Sequence, residues 1–271
     1  MRFIYCTDLH GSKKKYNNVL NYANKHEIKL IHLGADLLPK FHPLYETQKK
    51  FVGCFLLEFY QSAKDCGVDI LACFGNDDLF PLKVDFKKYA RLLNEEPVQN
   101  GGFEFKAYEF VPDYPFGLKT ACKIDYPGWE PEGYISPPVE INDDGSVRYL
   151  RDTVDAYFQA KGTIENDLKS ITATNKTIMA IHSPPYGIDL DVCNDGRQVG
   201  SKAVYNWIEK AQPALVLSGH IHESPSSSGI WKAKIGNTVV IQPGQLVRTT
   251  TLVDIDITDS AISSEIQYLD E

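Results

Sequence analysis

The chain has 271 residues, of which 43% are hydrophobic and 24% charged, with a formal net charge of −8. That balance suits a soluble globular protein able to bury a substantial core. Net acidity argues against a long nucleic acid partner, which needs a broad basic footprint, and no apolar run approaches the roughly 20 residues of a membrane span.

The chain opens into a strand-like run from Arg2 to Thr7 with no charged leader, so a cytoplasmic location with no membrane partner is expected. Ser12 then caps a helix whose apolar positions Tyr16, Val19, Leu20 and Ala23 follow three-to-four residue spacing. A second strand runs from Lys29 to Leu33. Phe51, Phe55, Leu56 and Phe59 repeat the helical spacing, Gly67 ends that helix, and a third strand runs from Asp69 to Phe74. Later strands are expected over Thr177 to Ile181, Ala214 to Ser218 and Thr238 to Ile241, with a helix starting at Ser201, carrying Val204, Trp207 and Ile208, and ending before Pro213. Strand, helix, strand is the recurring unit.

The middle of the chain, about 101–170, has a different pattern. Phe103, Phe105 and Ala107 alternate, Leu118 to Ile124 reads as extended, and Asn142-Asp143-Asp144-Gly145 is a hairpin turn signal, so an antiparallel insertion is expected within a single domain spanning 1–271. Its stretch from Asp125 to Tyr134 is rich in aromatics, prolines and glycines, as a substrate-covering loop, an oligomer contact or a plain surface loop would be. Six cysteines (Cys6, Cys54, Cys66, Cys73, Cys122 and Cys193) are spread without a CxxC pair and are expected to be reduced and mostly buried. Asn175-Lys176-Thr177 has the form of a glycosylation acceptor, but nothing else points to secretion.

The hard polar residues fall at strand ends. Asp8 and His10 follow the first strand, Asp36 the second, Asn76 the third, His182 the fourth, and His220 with His222 the fifth. Side chains beyond the carboxyl ends of an open α/β sheet converge from loops far apart in sequence, so these seven metal-capable residues share one edge. Each has an ordinary role available when taken alone: Asp8 a helix cap, His182 a satisfied core histidine, Asn76 a turn. Five strand ends acquiring metal-type ligands independently is a much rarer coincidence.

The blocks Asp8-Leu9-His10, Gly34-Ala35-Asp36, Gly75-Asn76-Asp77-Asp78, His182 and Gly219-His220-Ile221-His222 resemble, in order, the pattern of the calcineurin-like metallophosphoesterase superfamily. The resemblance runs to Ile241-Gln242-Pro243-Gly244, similar to a turn that follows the histidine pair in smaller members, and leaves the insertion unmatched. It implies an α/β fold of metallophosphoesterase type, a β-sandwich of two mixed sheets flanked by helices, with the antiparallel insertion added. It also implies that Asp8, His10, Asp36 and His222 hold one metal, that Asp36, Asn76, His182 and His220 hold the other, and that Asp36 bridges. The two divalent ions would be manganese, iron, zinc or nickel, since the donors are nitrogen and oxygen without thiolate. The implied activity is hydrolysis of phosphate esters by metal-activated water, on a small molecule or nucleotide and most naturally as a phosphodiesterase. A nuclease of the same fold and a metal-binding scaffold without turnover are the alternatives. A protein serine/threonine phosphatase fits less well, because Asp36-Leu37-Leu38-Pro39 lacks the Val-Asp-Arg-Gly that follows the bridging aspartate in that group.

Two positions depart from the pattern. Gly34-Ala35-Asp36 has one residue more than Gly-Asp, and Asp77 stands where many members place a histidine that assists the leaving group. Asp77 could replace that acid only with a raised pKa, for which neighbouring Asp78 is a candidate cause; His10 is an alternative acid and capping a turn is the simpler role for Asp77. Catalytic candidates are therefore Asn76, Asp77 and His10. Asn76, Tyr186 and Arg197 are candidate substrate contacts, with Asp189 and Arg248 further possibilities at the pocket border. His26, His32 and His42 match no block; His32 sits within a strand and reads as core or as support for a ligand.

Overall fold

The computed structural model describes residues 1–131, 133–258 and 261–270; Glu132 of the aromatic stretch lies outside them. Two six-stranded sheets dominate. The first places Ile262–Asp270, Thr249–Ile257, Arg2–Cys6, Leu30–Leu33, Asp69–Ala72 and Arg91–Leu92 side by side. From Arg2–Cys6 onward its pairs are parallel, and the two C-terminal strands join antiparallel. The second sheet places Lys232–Ile235, Thr238–Ile241, Leu215–Leu217, Thr177–Ile181, Phe103–Tyr108 and Val98–Asn100 in order, with three parallel pairs at its centre.

Strand alternation explains how the layers stack. Phe3 and Tyr5 point into a core shared by the sheets, where Phe105, Ile178, Leu215 and Ile255 meet them. Ile4 and Cys6 point the other way, toward a helical layer with Tyr16, Val19 and Phe59. A third apolar cluster seals the outer face of the second sheet, where Met179, Ile181 and Val216 meet Val204, Trp207 and Ile208. The fold is thus helix, sheet, sheet, helix. Strands covered on both faces account for the near-continuous apolar runs in the sequence.

The helices follow their local signals. Ser12 caps Lys13–Lys25 by accepting from the Lys15 amide at 3.4 Å, and Ser201 caps Lys202–Ala211 by accepting from the Val204 amide at 3.0 Å. The helix expected around Phe51 is longer than its apolar spacing suggested: Leu44–Phe51 passes through a π-helical segment, Val52–Leu56, into Leu57–Asp65. Phe51, Phe55 and Phe59 set their rings around Tyr16 at 5.9, 5.5 and 5.0 Å between centroids.

The stretch 101–170 is not antiparallel throughout. Phe103–Tyr108 is a strand of the second sheet, parallel to Thr177–Ile181; it alternates because one face meets the inter-sheet core and the other is only partly covered. Beyond it, Val111–Pro112 pairs in parallel with Cys122–Lys123, the only residues of the 118–124 run in a named strand. The expected turn at 142–145 does close an antiparallel hairpin, Val139–Ile141 with Val147–Tyr149, and two helices, Val154–Lys161 and Ile164–Lys169, complete the segment. All six cysteines are free, but only Cys6, Cys73 and Cys122 are buried, while Cys54 and Cys66 are exposed on or just after the long helix. Among the described residues no helix is long and apolar enough to cross a membrane.

Candidate metal centre

The parallel strands of both sheets end on one edge, and the polar residues gather there. Asp8, His10, Asp36 and Asn76 come from the first sheet; His182, His220 and His222 come from the second. Backbone hydrogen bonds hold the turns in register: the Asp8 amide donates to the Ala35 carbonyl at 2.9 Å and the His10 amide to that of Asp36 at 2.9 Å. The Gly219 amide ties the second sheet's loops together by donating to the His182 carbonyl at 3.1 Å. Asp8, His10, Asp36 and His220 have positive φ, between 43° and 69°, a conformation that side-chain-bearing residues adopt at a cost of about 1 to 2 kcal/mol. Two motif glycines allow the close approach: a Cβ at Gly219 would collide with the Asp8 carboxylate, and one at Gly75 with that of Asp36.

Two groups with metal-binding geometry result. Asp8, His10, Asp36 and His222 form one and Asp36, His182 and His220 the other, each with donor atoms within 4.8 Å of one another. Asp36 belongs to both: its Oδ2 lies 3.3 Å from His182 Nε2 and 4.0 Å from His10 Nε2. Asn76 Oδ1 adjoins the second group at 2.9 Å from His182 Nε2. The donor set fits divalent cations. His10 Nε2 and His222 Nε2 face each other at 3.0 Å, and Asp8 Oδ1 is 3.2 Å from His222 Nε2; one shared proton satisfies one such contact, whereas a cation draws all these lone pairs together.

The charges are set by burial and by one another. Burial holds His10 down to about 3, and burial with the charge of His182 holds His220 down to about 3, so both are neutral imidazoles with a lone pair to give. Burial also pulls His182 down, but the Asp36 carboxylate outweighs it and pushes the ring up to about 9. For Asp8 and Asp36 burial acts upward and is overcome by His222 and His182 respectively, so both stay ionised.

The block after the third strand works differently from its sequence reading. Asp77 is raised by burial and by Asp36, against the pull of Lys40. Asp78, named above as a cause, turns away: it accepts from the amides of Leu37, Leu38 and Gly75 at 3.1, 2.7 and 3.0 Å, and burial pushes it up to about 7. Asp77 instead accepts from Asn76 Nδ2 at 2.9 Å, pairs with Lys40 Nζ at 2.7 Å, and lies 3.9 Å from His10 Nδ1. Its own amide donates to Asp36 Oδ1 at 2.8 Å. In the turn after Thr238–Ile241, Gln242 donates to the Ile221 carbonyl at 2.6 Å and so secures the histidine loop.

Other expected residues are less central. Tyr186 is exposed, with the Lys202 ammonium 5.0 Å from its ring. Arg197 lies on an exposed turn and pairs with Asp195 at 2.7 Å, and Asp189 and Arg248 are exposed. His32 is fully buried between the rings of Tyr5 and Phe105, a core position.

Two residues that sequence reasoning missed reach the site. Tyr114 accepts from Asn76 Nδ2 at 3.1 Å, donates to the Leu118 carbonyl at 3.2 Å, and sets its ring edge-on to His220 at 5.6 Å. A buried ion pair anchors it: Lys119 Nζ lies 2.8 Å from Asp113 Oδ1, and the same ammonium donates to the Tyr114 carbonyl. Nothing in the local spacing around Tyr114 signals this, because the contact joins segments nearly 40 residues apart. Lys40 is the other, a residue outside every motif block.

A sandwich of two mixed sheets with an Asp/His cluster on their common strand edge defines a metal-dependent phosphoesterase. The chain belongs to the calcineurin-like phosphoesterase family, whose sequence profile matches residues 1–224. Among solved structures, TT1561 of Thermus thermophilus is 16% identical with a TM-score of 0.54, over 97% of each chain. A dimetal phosphatase from Danio rerio is 10% identical with a TM-score of 0.54, over 100% of this chain and 98% of its own. Both share the fold. No curated protein matches the sequence.

Proposed function

We propose that the protein is a two-metal phosphodiesterase acting on a small molecule of nucleotide size. One observation carries this reading: two donor groups converge on Asp36, which belongs to both. In this reading Asp8, His10, Asp36 and His222 hold one divalent ion, and Asp36, Asn76, His182 and His220 hold the other. Manganese, iron, zinc and nickel all accept this mixture of imidazole, carboxylate and amide oxygen. When bound, such ions supply positive charge that draws water toward ionisation and offsets charge building on the phosphate.

The chain's own residues do the rest. Asp8 and Asp36 bring the negative charge that two adjacent cations require, and the neutral rings of His10 and His220 complete the shells. Asn76 presents its oxygen to the His182 side and its amide hydrogens to the opposite side, where Asp77 and Tyr114 hold them in place. Asn76 and Asp77 border the phosphate, with Tyr186 and Arg197 at the outer wall. Reduced cysteines and net acidity support a cytoplasmic setting and a small rather than polymeric substrate.

The test is hydrolysis of bis(p-nitrophenyl) phosphate and p-nitrophenyl phosphate by manganese-loaded protein. Faster turnover of the diester, lost with Asp36→Asn, is the expected result. Faster turnover of the monoester would reassign the enzyme to monoesters, and no turnover with any of the four metals would leave the scaffold reading.

A further inference from the structure

We propose that Lys40 contacts the substrate phosphoryl group directly, supplying the positive charge at the lip of the metal centre. The proposal rests on the two-metal phosphoesterase reading and extends it to a residue outside the family's motif blocks.

Lys40 follows the Asp36 turn and leads its ammonium back to the ligands. Its Nζ and His10 Nδ1 lie against the same Asp77 oxygen, at 2.7 and 3.9 Å. The other Asp77 oxygen accepts from Asn76, and the Asp77 amide donates to Asp36. One short carboxylate therefore separates Lys40 from residues of both metal groups. The two ends of the pair face different surroundings: the Lys40 side chain is 46% exposed, that of Asp77 only 20%. Among the described residues Asp77 forms the one ion pair of Lys40, and an ammonium has three hydrogens to donate.

An ammonium held in this way has two possible uses. It could only neutralise Asp77, or it could also receive an anion that lies over the metals. Its place favours the second, because the carboxylate it holds at 2.7 Å touches Asn76 and Asp36, so the ammonium stands beside the anion that the two metal groups would bind. The chain also has need of such a charge, since Asp77 occupies the position between Asn76 and Asp78 and brings a negative charge to where phosphate must approach. Lys40 offsets that charge and carries donors that a phosphate oxygen can accept.

The experiment uses the full-length manganese-loaded protein, with inorganic phosphate as the probe in calorimetric titration and both p-nitrophenyl esters for turnover. Lys40→Gln is expected to weaken phosphate binding about 10-fold and to lower kcat/KM about 100-fold, with manganese content by elemental analysis unchanged. The double variant Lys40→Gln/Asp77→Asn separates the two uses. If Lys40 only neutralises Asp77, removing both charges restores phosphate affinity, and that result overturns the proposal. If Lys40 touches the anion, the double variant stays weak. Wild-type turnover accompanied by equal phosphate affinity in Lys40→Gln sinks this inference alone, whereas a wild type that hydrolyses neither ester overturns the functional reading and this inference with it.

Discussion

The strand-end edge and the segment from Val111 to Lys169, which touches it at Tyr114, are built on different principles. On the edge every functional residue lies within a few positions of a strand end, so the regular geometry of two sheets places seven side chains at once. The segment from Val111 to Lys169 has strands of only two or three residues and reaches the site through Tyr114, held by a buried Lys119–Asp113 pair and by Tyr134, which donates to Asp113 Oδ2 at 2.8 Å. It is tied to the second sheet's layer too: Asp125 accepts from the amides of Lys202 and Ala203 at 2.8 and 3.4 Å and so caps the helix that Ser201 begins. A scaffold of regular elements can carry chemistry with little local support, whereas an irregular segment needs ionic anchors to deliver one side chain.

Changes on either side of that division should behave differently. Asp36→Asn removes the one side chain common to both groups, and turnover of either p-nitrophenyl ester should fall about 10³-fold or more. Lys119→Met is expected to act first on stability. It leaves the Asp113 carboxylate buried without its cation, and denaturant unfolding should show a loss of about 3 to 5 kcal/mol. Turnover in Lys119→Met falling as far as in Asp36→Asn would show that the Val111–Lys169 segment is as integral to the chemistry as the edge.

His32 sharpens the comparison from beneath, since it lies in the core shared by the two sheets. Among the described residues neither ring nitrogen has a hydrogen-bond partner, and burial pushes the ring down to about 3, against about 6.5 when unfolded. Between those values the unfolded chain binds the extra proton, so its contribution to stability is intact above pH 6.5 and is lost by about 1.4 kcal/mol for each pH unit below it. His32→Leu should flatten that part of the acid limb in unfolding curves recorded from pH 7 to pH 4; an unaltered slope would place the acid sensitivity elsewhere.

The smallest effect is expected from Tyr114→Phe, which deletes only the hydroxyl between Asn76 and Leu118. A loss of about 10-fold in kcat/KM, at the low end for residues that support a metal ligand, is expected together with stability within about 1 kcal/mol of wild type. No change in kcat/KM would mean that Asp77 alone suffices to orient the Asn76 amide.

The ligand edge was legible in the sequence because its determinants are local. A β-strand has a fixed rise and a helix a fixed period, so a run such as Thr177–Ile181 followed at once by His182 places that histidine at a strand end whatever the rest of the chain does. The family blocks, the helix caps at Ser12 and Ser201, and the hairpin turn at 142–145 are of the same kind. What the tertiary structure decided depends on contacts between residues remote in the chain. It assigned Phe103–Tyr108 to the second sheet and built the C-terminal hairpin from Thr249–Ile257 and Ile262–Asp270. It turned Asp78 toward backbone amides and Asp77 toward Lys40, and it delivered Tyr114 to Asn76. None of these is encoded in a short window, because hydrogen bonds and ion pairs of this sort form only after burial has brought their partners together, and the free energy that selects among them comes from the desolvated surroundings rather than from either residue alone.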